Sequence, residues 1–184
     1  MTKARSAVEW VVIVLVSLAI AAGAIALLSG YFAGNDTPGV SGSSSGPGIA
    51  VKDLGDAHLK PGQTVPRYSS NPPTSGPHVP VAVRKDRALL SNNQLLEALE
   101  LGNVVLVYGT STPPAGLEAV ARANASPFTP ALATAGQAVI LARRPGTQGV
   151  VGLAWAHLIR VAGPSDPALG RFIQYWLGRR APSR

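Results

Sequence analysis

Residues 92–108, NNQLLEALELGNVVLVY, change their hydrophobic spacing partway along, and that change decides the fold. Leu95, Leu96 and Leu99 recur at the interval that places side chains on one stripe of a helix. Asn92 or Asn93 can accept the helix's first free amide hydrogens, and Gly102 can take the left-handed backbone that ends one. From residue 103 the run NVVLVY, rich in β-branched side chains, reads as a buried strand. Glu97 and Glu100 lie one turn apart on the helix surface and, with no identified partner, read first as solvated charges.

Downstream, Pro113 and Pro114 open a second helix carried by Leu117, Val120 and Ala121 and ending near Asn124. Residues 137–142 and 150–161 read as two further strands, with Arg143, Arg144, Pro145 and Gly146 supplying the chemistry of a hairpin turn between them. Ser165 is placed to cap a last helix, with Pro167 in its first turn and Leu169, Phe172, Ile173, Trp176 and Leu177 on its buried side. The order helix, strand, helix, strand, strand, helix predicts an α+β domain over residues 51–184. Its expected architecture is a small mixed sheet of three to four strands with about three packed helices, preceded by one transmembrane helix.

Upstream of the quoted run, residues 53–80 are dense in proline, glycine and polar side chains, with turn chemistry at Pro61 and Gly62 and again at Gly76 and Pro77. The stretch YSSNPPTSGPH, residues 68–78, is the most distinctive in the chain. Its prolines stiffen the backbone, so Tyr68, Pro73, Thr74, Ser75, Gly76 and His78 can be presented to a ligand or partner without further ordering cost. The same loop can equally serve as a structural strap with its polar groups bonded to backbone. His58, beside Asp56, can converge with His78, and two imidazoles with a carboxylate or water suit zinc or copper. Glu100 and His157 are the candidates for a further ligand; His157 follows Trp155 by two residues, on the same face of the expected strand. Ser75 as a nucleophile would need a base, and His78 is too near in a stiff loop to be assumed well placed.

Residues 55–58, Tyr68 and above all NPPTSGPH at residues 71–78 resemble the signature of an uncharacterised bacterial membrane-anchored family, domain of unknown function 3105 (DUF3105). The resemblance continues through Leu99, Glu100, Gly102, residues 104–108 and residues 153–155. It implies an anchored topology and carries no established activity. In the family pattern the helix-to-strand junction reads V-H-x-L-E-H-G; here Glu97 and Leu101 stand where the two histidines would be, while Glu100 and Gly102 follow the pattern. The resemblance therefore implies a degenerate member that has lost much of any site built on those histidines.

Residues 10–35 carry no charged side chain, and in the 18 residues 11–28 only Ser17 and Gly23 interrupt the apolar run. About 20 apolar residues cross a bilayer, so residues 10–32 are expected to form a transmembrane helix. A cleaved signal peptide, with small residues at 24–26 as its cleavage region, is the competing reading, but its apolar region would be shorter. Lys3 and Arg5 place residues 1–9 in the cytoplasm and the domain on the extracytoplasmic side of a single-pass chain in the cell membrane. Residues 33–50 read as a flexible Gly/Ser/Pro linker. The formal G-x-S-x-G match at residues 42–46 lies inside that linker, without the strand and helix a nucleophile elbow requires.

The 184 residues include no cysteine, which excludes disulfides, thiolate metal sites and thiol catalysis. The net charge of +7 comes from scattered arginines, paired only at Arg143 and Arg144 and at Arg179 and Arg180, with no interleaved aromatic platform, so no nucleic acid is expected. The partners expected are the lipid bilayer through residues 10–32 and an envelope protein or wall component. The leading functional expectation is a noncatalytic binding or structural module presenting the Pro-rich loop, with no catalytic residues; the alternative is a zinc- or copper-binding protein using His58 and His78.

Overall fold

The computed structural model describes residues 46–64 and 67–182. Their elements are, in order, β1 (Ile49–Ala50), β2 (Ala88–Leu89), α1 (Asn92–Glu100), β3 (Val104–Tyr108), α2 (Leu117–Asn124), α3 (Pro130–Ala135), β4 (Val139–Arg143), β5 (Val150–Ala154), β6 (His157–Val161) and α4 (Pro167–Trp176). The strands make one six-stranded mixed sheet in the order β1-β6-β5-β3-β4-β2. Central β3 runs parallel to β4 and antiparallel to β5. Val105 and Val107 point into a core shared with Leu95, Ala98 and Leu99 of α1. Val104, Leu106 and Tyr108 point the other way, to Leu117 of α2 and Leu169, Phe172 and Ile173 of α4. Both faces of β3 are dry, which is why its sequence is an unbroken apolar run and does not alternate.

The expectation of three to four strands and about three helices is corrected to six strands and four helices among the described residues. β1 and β2 have two residues each, too short to show any periodicity. The stretch 150–161 is two strands, because Trp155 and Ala156 form a tight turn that folds β6 back on β5. Ala156 takes a positive φ of 53° there, a conformation announced by none of the usual Gly, Asn or Asp signals. Arg143 to Gly146 does not join a hairpin either: β4 and β5 flank β3, and the chain crosses the end of β3, where the Arg144 amide donates to the Tyr108 carbonyl at 2.8 Å. α3 leaves no stripe for the sequence to show, because only Ala133 of its six residues is buried.

Two caps also differ. Ser91, not Asn92 or Asn93, caps α1, its hydroxyl accepting from the Gln94 amide while Gln94 bonds back to Ser91. Asp166, not Ser165, caps α4 by accepting from the Ala168 amide. Within the stretch read as linker, Ile49 and Ala50 pair with Leu158 and His157 of β6, and Trp176 Nε1 donates to the Pro47 carbonyl at 2.9 Å.

The helix expected over residues 10–32 lies outside the described residues. Among the described residues no helix is long and apolar enough to cross a membrane, so the expected transmembrane segment has no counterpart there.

One buried polar residue ties the frame together. Asn103 donates to the carbonyls of Ala98 at the end of α1 and Ala133 in α3, and accepts from the Ala138 amide ahead of β4, all at 2.8–2.9 Å.

Candidate metal centre

α1 buries Leu95, Leu96, Ala98 and Leu99 and so turns Glu97 and Glu100 outward together, one turn apart. Its far end is held by the chain after α4: the Gly178 amide donates to the Gly102 carbonyl at 2.8 Å and the Ala181 amide to the Glu100 carbonyl at 3.0 Å. Gly102 has a φ of 101°, and a side chain there would press on the backbone of residues 178 and 179.

The Pro-rich loop runs inward beside this helix. Pro73, Thr74, Ser75, Gly76 and His78 are buried. The Thr74 carbonyl accepts from the Ala156 amide at 3.0 Å. Ser75 Oγ accepts from the Leu54 amide at 3.1 Å and lies 3.4 Å from the Lys52 carbonyl, so its hydroxyl is committed to backbone. The half-buried Tyr68 donates its hydroxyl to the Pro77 carbonyl at 3.2 Å. Gly76, at φ 130°, packs so closely on the Tyr68 ring that a Cβ would lie 3.1 Å from it. The loop's groups are thereby turned into the domain.

A parallel β-bridge sets His58 beside His78. The Leu59 amide donates to the His78 carbonyl at 2.8 Å and the His78 amide to the Ala57 carbonyl at 3.1 Å. The two rings meet edge to face, 5.3 Å between centroids. His58 Nε2 lies 3.1 and 3.2 Å from the Glu100 carboxylate oxygens. His78 Nε2 lies 3.3 Å from Glu100 Oε2 and 3.5 Å from Glu97 Oε2. One ligand-type atom from each of these four residues falls within 4.8 Å of the others.

His78 is the informative member. Its Nδ1 is 3.0 Å from the Gly76 carbonyl, which can only accept, so Nδ1 carries the proton. In the neutral ring Nε2 then offers a lone pair, aimed at carboxylate oxygens that are themselves acceptors. Both His78 Nε2 and Glu97 Oε2 are buried without a hydrogen-bond partner. An additional positive charge between them, a proton or a metal ion, resolves the conflict.

The structure thus brings together His58, His78 and Glu100 of the residues expected from sequence, and adds Glu97. It leaves out His157, which bonds through Nδ1 to the Trp155 carbonyl and stacks on Trp176 at 3.9 Å, on the face of the sheet covered by α4. Asp56 is not part of the cluster. The signal for Glu97 was its spacing from Glu100.

Fold and site define an α+β domain with a two-histidine, two-glutamate cluster formed between α1 and the bridged segments that carry His58 and His78. The chain belongs to the family described as Protein of unknown function (DUF3105), whose model matches residues 58–184 and so contains all four cluster side chains. No curated protein and no solved structure matches the chain.

Proposed function

We propose that this chain is a metal-binding domain holding one divalent zinc or copper ion on His58, His78, Glu97 and Glu100. The observation that carries the reading is the facing pair of buried, unpartnered atoms, His78 Nε2 and Glu97 Oε2, with the other ring nitrogen of His78 already committed to a backbone carbonyl. Metal-bound histidines are oriented in this way, the far N–H bonded to a carbonyl so that the near nitrogen faces the ion.

Spacing and charge agree with it. Bonds of about 2.0–2.1 Å to a tetrahedral ion put neighbouring ligand atoms about 3.3–3.4 Å apart; three of the six pairs here stand at 3.1, 3.3 and 3.5 Å, and all four atoms lie within 4.8 Å of one another. Two carboxylates neutralise a divalent ion, which removes most of the cost of placing charge in a partly buried site. Two imidazoles favour zinc or copper over the all-oxygen preference of magnesium and calcium, and without sulfur the set does not favour copper(I).

The test is metal content and thermal midpoint of the untagged 184-residue chain, with and without added zinc or copper(II). About one ion per chain is expected, with a stabilisation of about 2.7 kcal/mol at a hundredfold excess over Kd. His78→Ala should abolish both. A folded chain that takes up neither ion and shows no shift would overturn the reading.

A further inference from the structure

The four side chains of the centre are not held alike. His78 is completely buried, its ring fixed by the Gly76 carbonyl, and the next residue is pinned to the ligand helix where the Val79 amide donates to Asn93 Oδ1 at 3.2 Å. Glu97 and Glu100 sit on a helix capped at its start by Ser91 and tied at its end by residues 178–181. His58 is different: its side chain is 49 % exposed, it lies outside any helix or strand, and among the described residues its ring has a hydrogen-bond partner only in Glu100. Moving His78 or Glu97 strands a buried polar atom, whereas swinging His58 away exposes only a ring that already half faces water.

Resting on the metal assignment above, we propose that His58 is the exchange ligand: the ion is handed over when an acceptor binds it from the His58 side and His58 detaches. The acceptor that fits offers the donors the centre itself uses, nitrogen together with carboxylate oxygen. Zinc accepts a fifth ligand in passing, so the acceptor bond forms before the His58 bond breaks, with no change of oxidation state. The ion is not released to water first.

The probe is nitrilotriacetate, mixed with the zinc-loaded chain while zinc transfer is followed in time. The transfer rate should rise in proportion to nitrilotriacetate concentration. His58→Ala, which keeps the three better-held ligands, should transfer at least ~10-fold faster, since a lost ligand weakens a site by at least as much as a lost supporting contact does. Repeating the measurement with nitrilotriacetate coupled to a large dextran separates the two sources of acceptor. Transfer to both forms fits a macromolecular acceptor, and transfer to the free form alone fits a small one. A rate independent of acceptor in the native chain overturns the proposal whether or not the variant folds, as does a folded His58→Ala chain that transfers no faster. A chain that takes up no zinc overturns the metal assignment itself and the exchange with it.

Discussion

His78 Nε2 and Glu97 Oε2 face each other across 3.5 Å, both buried and neither hydrogen-bonded. Buried polar atoms left without partners cost about 1–3 kcal/mol each, so a domain with neither a metal ion nor a proton between these two carries a stability penalty there. Glu97→Gln separates the two roles. Its amide can donate to His78 Nε2, so without metal the variant should unfold at an equal or higher midpoint than the native chain. Its zinc affinity should fall at least ~10-fold, since a carboxylate ligand is replaced by a neutral amide. Calorimetry with and without zinc reads both, and a variant that is less stable without zinc while keeping native affinity would remove Glu97 from the centre.

If Glu97 is a ligand, it also bears on which ion the donor set prefers. Glu97→His replaces an oxygen donor with a third imidazole, which should shift selectivity toward copper and zinc and away from manganese. Competition between zinc and manganese for the native and variant chains measures this. An unchanged ratio would mean that position 97 does not reach the ion.

Asn103 predicts a purely structural effect. Its side chain satisfies two carbonyls and one amide at the junction of α1, α3 and β4. Asn103→Leu leaves the Ala138 amide buried and unpaired and takes one donor each from the Ala98 and Ala133 carbonyls, which keep the Asn103 and Gly136 amides, so a loss of about 1–3 kcal/mol is expected. Urea unfolding measures it, and a loss under about 1 kcal/mol would show that the junction relaxes around the change.

Asp86 predicts a pH dependence away from the metal centre. Burial raises its carboxyl above the usual range, and the hydrogen bonds from the Leu141 and Arg87 backbone with the Arg87 charge offset this only in part. A raised value in the folded state means the fold binds that proton more tightly than the unfolded chain does. The associated stability is therefore fully present below the ordinary carboxylate value of about 3.9 and is lost as pH rises through the raised one. Asp86→Asn keeps an acceptor for the Leu141 amide and should gain on the native chain as pH is raised from about 4 to 7. Paired unfolding curves at three pH values decide it; a stability difference that stays constant with pH would contradict it.

The run from Asn92 to Tyr108 could be read in advance because each of its elements buries a complete stripe or two complete faces, and burial is what periodicity records. β2 and α3 bury too little to leave such a record. The turn at Trp155 and Ala156 could not be read because its positive φ falls on alanine, and missing it put His157 on the wrong surface. At the centre, His58 and His78 were identifiable by residue type, but their convergence depends on one β-bridge between irregular segments. Glu97 stands where the family pattern has a histidine, and a carboxylate can serve there as a metal ligand in its place.

The hydrogen bonds from Gly178 and Ala181 to the end of α1 bear on the order of events during synthesis. All four cluster side chains belong to residues 58–100, yet the helix carrying two of them is fastened by strands made later and by residues 178–181, made later still. During translation the donors are present before their geometry is. The geometry is therefore completed only once residues 178–181 have been made, and metal retention would report that synthesis has passed them.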